Sequence, residues 1–372
     1  MDAWNFSTKV YTGLDSFDKL KELKEKNIFI VCDPFLSNTD GFKEVLSILV
    51  QEKNRLNIYS KVSPDPPIED IIKCMGELQE FNPNIVIAIG GGSAIDLTKG
   101  VLYFSKKISS VSIDKFIAIP TTSGTGSEVT NVAVITDKKK NVKYPIVDDQ
   151  LIPDEAILNP SLVLSTPQKV TAYSGMDVLT HALEALVATN ANLYTDSLAE
   201  KAIEIVFNDL IGCYKDGTDI EKRMRMHEAS CLAGLAFNFA GLGISHALAH
   251  QVGGQMHVPH GLANTMLLPY VILCNAKNPA AKNKYVKIAK RVGPNQSRWS
   301  DEMVLEEFSR KIKYLAIQMN CPLKLSKFGV DKETAESHIA EIVRNAKKDI
   351  TFKTNPIKPT DKELEEIYYS II

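Results

Sequence analysis

The hydrophobic rhythm changes once along the chain, near Thr166-Pro167, and that change limits the fold more than any other feature. Upstream, short apolar runs alternate with amphipathic stretches, the pattern of a parallel sheet covered by helices. The runs Asn27–Asp33, Asn84–Ile89 and Phe116–Pro120 read as strands, with a shorter one at Asn57–Val62. Helices are expected around Phe42–Glu52 and Ile68–Glu80, and the prolines of Pro64-Asp-Pro-Pro67 mark a turn. Downstream, apolar residues recur at spacings of three and four through 178–187, 198–210, 229–239, 266–272, 304–319 and 335–346. Thr360-Asp-Lys-Glu363 then fits a capping box opening a last helix. The expectation is an α/β domain over residues 1–165 and an all-α domain over 166–372. A cleft between two such domains is a usual meeting place for cofactor and substrate.

Bulk properties narrow the function classes. The 372 residues carry a net charge of −2, which gives no electrostatic case for nucleic acid or an acidic membrane surface. No apolar run approaches the ~20 residues that span a bilayer. The first residues lack a basic segment followed by an apolar core, so a cytoplasmic location is expected. Six scattered cysteines without Cys-x-x-Cys spacing read as reduced, mostly buried thiols.

Two loops carry the signature of phosphate binding. Gly90-Gly-Gly-Ser-Ala-Ile-Asp96 directly follows an apolar strand. Glycines there let the backbone approach a phosphate, and the helix after them offers free amides and the positive end of its dipole. Thr121-Thr-Ser-Gly-Thr-Gly-Ser127 follows the next strand and offers hydroxyls for the same task. Candidate contacts are Gly91, Gly92, Ser93 and Asp96 in the first loop, and Thr121, Thr122 and Thr125 in the second. The usual Gly-x-Gly-x-x-Gly setting is absent, and the acidic candidate, Asp33, precedes the glycines. Asp33 could accept hydrogen bonds from an adenosine ribose and repel a 2′-phosphate, or simply open a turn before Pro34.

The second half concentrates metal-binding side chains. Asp177 and His181 stand four residues apart in a helical pattern, on one face. His246, His250, His257 and His260 fall within fifteen residues. Gly253-Gly254 is expected to end the helix bearing His246 and His250, and Pro259 to precede the next, turning His260 back towards His246. One carboxylate and three imidazoles suit a divalent first-row ion with room for a substrate oxygen. The glutamate that a zinc peptidase needs after its first histidine is missing from His246-Ala-Leu-Ala-His250. Glu184 shares a face with His181, and an exposed role or one behind the ligands is expected for it. His227 and His338 read as ordinary core or surface groups.

Five motifs stand in order: Gly90–Asp96, Pro120-Thr-Thr-Ser-Gly-Thr-Gly-Ser-Glu128, Gly175-Met-Asp-Val-Leu-Thr-His-Ala-Leu-Glu184, His246-Ala-Leu-Ala-His-Gln-Val-Gly-Gly254 and Pro259-His-Gly-Leu-Ala-Asn264. With them the whole chain resembles the iron-containing (group III) alcohol dehydrogenase family. Within it, the N-terminus and Asn355-Pro resemble the 1-propanol dehydrogenases of propanediol-utilisation systems. The resemblance implies a dehydroquinate synthase-like architecture, with an NAD-binding α/β domain and a helical metal-binding domain. It implies NAD(H)-linked interconversion of small primary alcohols and aldehydes, and a metal held by Asp177, His181, His246 and His260. His250 is then near the substrate, a candidate for relaying a proton to solvent or for packing behind the site. Asp33 is implied at the adenosine ribose, Gly91–Ser93 and Thr121-Thr122 at the phosphates, and Lys143, Leu162 and Phe237 along the path to the nicotinamide. The intact three-histidine set implies Fe²⁺, although the same donors accept Zn²⁺. Homodimers or larger homo-oligomers are usual in the family, and its propanediol-utilising members raise association with a bacterial microcompartment. Two rival classes are a lyase or cyclase of the dehydroquinate synthase type, which shows no net NADH turnover, and a noncatalytic sensor. A polyol dehydrogenase is the nearer alternative.

Overall fold

A computed structural model describes residues 6–108, 112–138, 142–293 and 298–372. Contacts divide the chain into two compact units, Met1–Ser165 and Thr166–Ile372.

The first unit is built on a six-stranded sheet. In chain order its strands are β1 (Lys9–Thr12), β2 (Asn27–Cys32), β3 (Arg55–Tyr59), β4 (Ile85–Gly90) and β5 (Lys115–Pro120). A separate antiparallel hairpin, β6 (Val132–Asp137) and β7 (Val142–Val147), precedes the last strand, β8 (Glu155–Leu158). The spatial order is β1-β8-β5-β4-β2-β3, and every pairing in the sheet is parallel. Such a sheet must be covered on both faces, and the side-chain alternation shows how. Ile28, Ile30, Ile85, Ile87, Ile117 and Ile119 point to one face, against Phe42, Val45 and Leu49 of α1 (Asp40–Gln51). Phe29, Val31, Val86, Ala88, Phe116 and Ala118 point to the other, against α2 (Ile68–Phe81) and α3 (Gly92–Ile108). Helix α2 stops at Asn82, which takes the left-handed conformation (φ 49°) that asparagine tolerates better than most residues.

Three segments were not anticipated: β1, β8 and the hairpin. The first two are four residues long, too short to show a period, and Pro145 interrupts the alternation of β7. The strand expected at 57–62 begins two residues earlier and ends at Tyr59, and Val62 is in the irregular segment that follows it.

The second unit contains no strand among the described residues. Its core helices are α4 (Gln168–Val187), α5 (Leu193–Lys215), α6 (Ile220–Ala240), α7 (Ile244–Met256) and α8 (His260–Asn275). Every residue of α4 from Gly175 to Val187 is buried, so this helix is enclosed on all sides. The expected helix over 335–346 is two pieces, Lys332–Ser337 and Ile339–Ala346, broken at His338. The predicted capping box is present, with Thr360 and Glu363 exchanging side-chain and backbone hydrogen bonds at the start of Asp361–Tyr369. All six cysteines are buried free thiols. No single helix among the described residues is long and apolar enough to cross a membrane.

Candidate functional site

The carboxyl ends of β2, β4 and β5 lie side by side, with Cys32 opposite Ile89 and Gly90 opposite Pro120. Asp33, the glycine turn and Thr121 therefore converge at the end of the sheet where parallel α/β folds take ligands. Asp33 Oδ2 accepts the Gly91 amide at 2.9 Å, and Thr121 N–H donates to Gly90 O at 3.0 Å. Burial raises the Asp33 carboxyl above its ordinary range, against the pull of that amide. A Cβ on Gly92 would lie 2.8 Å from the Thr125 methyl, so the glycine there lets the two loops approach closely, whereas one on Gly91 would make only van der Waals contact with Thr122 at 3.4 Å. Thr121 Oγ1 is buried without a hydrogen-bond partner among the described residues. A buried orphan hydroxyl beside the half-buried Gly91–Ser93 turn fits a phosphate-bearing cofactor.

The remaining cofactor candidates are more scattered. Ser93 opens α3 beside these groups. Asp96 sits one turn into α3, with its oxygens engaged by Ser127 Oγ and the Val134 amide. Leu162 is buried in the core of the first unit beside Gly41. Lys143 lies in β7, and its side chain is outside the described residues.

In the second unit one helix, α4, supplies Asp177, His181 and Glu184 from a single buried face. Helix α7 supplies His246 and His250, and α8 begins with His260. Gly253 and Gly254 do not end α7. The helix continues to Met256, and the reversal falls on His257, whose φ of 54° is left-handed. Pro259 then caps α8, which starts at His260. The rings of His246 and His260 are 5.2 Å apart, those of His181 and His246 4.6 Å.

One ligand atom from each of Asp177, His181, His246 and His260 lies within 4.8 Å of all the others. Oδ1 of Asp177 is 3.9 Å from His246 Nε2 and 3.7 Å from His260 Nε2. Nε2 of His246 and Nδ1 of His181 are buried ring nitrogens without a partner among the described residues. Unpaired buried nitrogens around a buried carboxylate are costly unless something positive fills the space between them, so the donors fit a metal cation. Burial by itself would raise Asp177, but the neighbouring imidazoles of His260, His181 and His246 and the Asn264 amide hold its carboxyl low. Burial keeps His246 far below the usual histidine range, that is, neutral and able to donate a lone pair.

The residues around these four were less legible. Glu184 is buried, not exposed, and its carboxylate accepts from Gly243 N–H at 2.9 Å, Ser245 N–H at 2.6 Å and the His246 Nδ1 side at 2.6 Å. Burial pushes its carboxyl up to about 7, against the pull of the Ser245 and Gly243 amides. Asn264 donates to Asp177 Oδ1 at 2.8 Å and accepts from Ser245 Oγ at 3.1 Å. Asn355 accepts the Ile244 amide at 3.1 Å, so the orphan amides of α7 are satisfied by side chains remote in sequence. His250 stands 5.3 Å from the His260 ring and 6.1 Å from that of His246, and its Nδ1 is 2.8 Å from Asp349 Oδ2. Phe237 stacks on His181 at 4.7 Å. No spacing rule links Asp349 or Asn355 to histidines about a hundred residues away. The one available signal was the Asn264 position, four residues after His260 on a helix.

Comparison with known proteins gives a single answer. Residues 7–160 match the family model described as iron-containing alcohol dehydrogenase, and residues 171–372 match the C-terminal model of the Fe-containing alcohol dehydrogenase family. The chain is 42% identical to 1-propanol dehydrogenase PduQ of Citrobacter freundii over the full length of both. It is 36% identical to the NADPH-dependent butanol dehydrogenase of Clostridium saccharobutylicum, covering 96% of this chain and 95% of the relative. Among solved structures, 1,3-propanediol oxidoreductase superimposes with a TM-score of 0.92 at 29% identity, covering all of both chains. Sulfoacetaldehyde reductase from Bifidobacterium kashiwanohense, in complex with NAD⁺, does so with a TM-score of 0.85 at 26% identity, covering 100% of this chain and 99% of that one.

Proposed function

The chain belongs to the iron-containing alcohol dehydrogenase family, and on that premise we propose that it interconverts short-chain primary alcohols and aldehydes, with propanal and 1-propanol as the first pair to try. The observation that carries the reading is the cluster of Asp177, His181, His246 and His260, with two of its buried ring nitrogens unpartnered. A divalent iron ion at these residues supplies Lewis acidity towards an alcohol or aldehyde oxygen, and NAD(H) supplies the hydride acceptor or donor.

The chain's own residues do the rest. Asp177 contributes the negative charge that offsets a cation, and Asn264 fixes the orientation of its carboxylate. Phe237 covers one face of His181 and keeps water from that side. His250 is about one-third exposed, and Asp349 holds its Nδ1, which makes it the candidate for relaying a proton to solvent. In the first unit the two loops receive the phosphates. Asp33, with one oxygen accepting the Gly91 amide, would offer the other to the adenosine ribose and would disfavour a 2′-phosphate. Assembly into a homo-oligomer and a cytoplasmic location belong to the same reading, and light scattering after size exclusion tests the first.

The deciding experiment reconstitutes anaerobically prepared, metal-free protein with Fe²⁺ and follows NADH consumption on addition of propanal. Consumption that requires the metal and stops on chelation supports the proposal. A protein that binds both metal and NADH yet consumes none with any short aldehyde sinks it in favour of a cyclase or lyase.

A further inference from the structure

The first unit buries a lysine that no part of the proposed chemistry uses. Lys99, on α3, is fully buried. Its Nζ donates to Thr130 O at 2.8 Å, Thr130 Oγ1 at 3.1 Å and Val132 O at 2.9 Å, which accounts for all three ammonium protons. Three residues earlier on the same helix, Asp96 accepts from Ser127 Oγ at 2.6 Å and from the Val134 amide at 3.0 Å. These two side chains therefore grip Ser127, Thr130, Val132 and Val134, the stretch that runs from the end of the hydroxyl-rich loop into β6. Ser127 and Thr130 are themselves buried, so their hydroxyls serve the interior and not a ligand.

Such an arrangement has a physical consequence. The loops Gly90–Gly92 and Thr121–Ser127 hold five glycines between them and would otherwise lose much conformational entropy on gripping a ligand. Burying a lysine and half-burying an aspartate is unfavourable unless their polar atoms find partners, and here Lys99 makes three hydrogen bonds and each Asp96 oxygen accepts one. We propose that Asp96, backed by Lys99, is a positioning residue that fixes the Thr121–Ser127 loop against the glycine turn at the start of α3, so that the dinucleotide's phosphates meet a preformed site. This assigns Asp96 to the support of the loops, in place of the direct cofactor contact expected from its motif. The proposal rests on the reading of these loops as the cofactor's phosphate site. Ordering the loops in advance lowers the cost of binding without adding a contact.

The test compares the holoenzyme with Ser127→Ala, Asp96→Ala and the double variant, measuring NADH dissociation constants by the fluorescence of bound nicotinamide, with bound metal and melting curves alongside. Asp96→Ala, which removes the hydrogen bonds to both Ser127 and Val134, is expected to raise the NADH Kd about tenfold or more, and Ser127→Ala, which removes one of them, about threefold. The double variant is expected to match Asp96→Ala, because Ser127 acts only through the carboxylate. The KM for NADH should rise with Kd, while bound metal and the KM for propanal stay as in the parent. Additive effects would mean that Asp96 touches the dinucleotide itself, and would overturn the proposal, as would an unchanged Kd in the folded variants. If Asp96→Ala does not fold, Ser127→Ala alone decides: a raised NADH Kd with unchanged bound metal supports the proposal, and an unchanged Kd overturns it. A parent enzyme that fails to bind NADH would instead remove the reading of the loops, a different and recognisable failure.

Discussion

Glu184 Oε2 lies 2.6 Å from Nδ1 of His246, and the two Glu184 oxygens also accept the Gly243 and Ser245 amides at the start of the helix that carries this histidine. One carboxylate thus caps α7 and sets the tautomer of its first histidine, leaving Nε2 with its lone pair towards Asp177. Because Glu184 is on α4 with Asp177 and His181, a single helix supplies two of the four donors and orients a third. Glu184→Gln, whose amide nitrogen must face one of these donors, is expected to weaken metal binding by about 10–100-fold, measured by competition with a chromophoric chelator. An affinity equal to the parent's would show that the contact is not used.

His260 is the most accessible of the four donors, with 40% of its side chain exposed, and it opens α8 at the point where the chain reverses. His260→Ala is expected to lose metal and activity together, by elemental analysis and NADH-linked assay on the same sample. A metal-replete, active variant would remove it from the donor set.

Gly261 shows how closely α8 approaches α4. A Cβ there would lie 2.2 Å from the Tyr173 carbonyl oxygen, a backbone atom that cannot rotate away. Gly261→Ala is expected to cost about 1–3 kcal/mol in urea unfolding and to displace His260 from the cluster, lowering metal affinity as well. Full stability with full affinity would contradict this packing.

Asp349 holds His250 from 99 residues away. Burial would raise its carboxyl, but the hydrogen bond and charge of His250, with the Thr351 amide and hydroxyl, bring it from 3.8 down to about 2. A carboxyl lowered in the folded state contributes stability that is present above its unfolded value, near pH 4, and lost as pH falls towards 2, about 2 kcal/mol in all. The stability gap between the metal-free parent and Asp349→Asn should therefore narrow from pH 5 to pH 3 in urea titrations, and a constant gap would rule out this pairing. His250→Gln should lower turnover and alter its pH profile with bound metal retained. An unchanged profile would leave His250 a packing residue.

Asp33 accepts the Gly91 amide through Oδ2. Asp33→Ser removes the charge that disfavours a 2′-phosphate, and the ratio of kcat/KM for NADPH to that for NADH should rise about tenfold or more. A ratio that does not move would assign cofactor choice to other groups.

The amino-acid order by itself determined the longer elements and the donor types, while the four-residue strands β1 and β8 and the β6–β7 hairpin were too short or irregular to show a period. Helical spacing put Asp177 and His181 on one face, strand-long isoleucine and valine runs marked a buried parallel sheet, and Gly90–Gly92 after an apolar run marked its ligand-binding end. These signals are local, because the period of an element and the chemistry of a loop are written within a few residues. Tertiary structure decided what long-range packing controls. Glu184 became a cap for a helix some sixty residues on, Asp349 and Asn355 came to α7 from the far end of the chain, and Asp96 turned inward to Ser127 and Val134. Even the reversal between α7 and α8 fell on a left-handed His257 and not on the glycine pair, since Gly253 supplies its carbonyl to the last turn by accepting the His257 amide at 3.0 Å. A polar side chain in a sequence announces what it can donate or accept, but its partner is fixed only when burial removes water as the alternative.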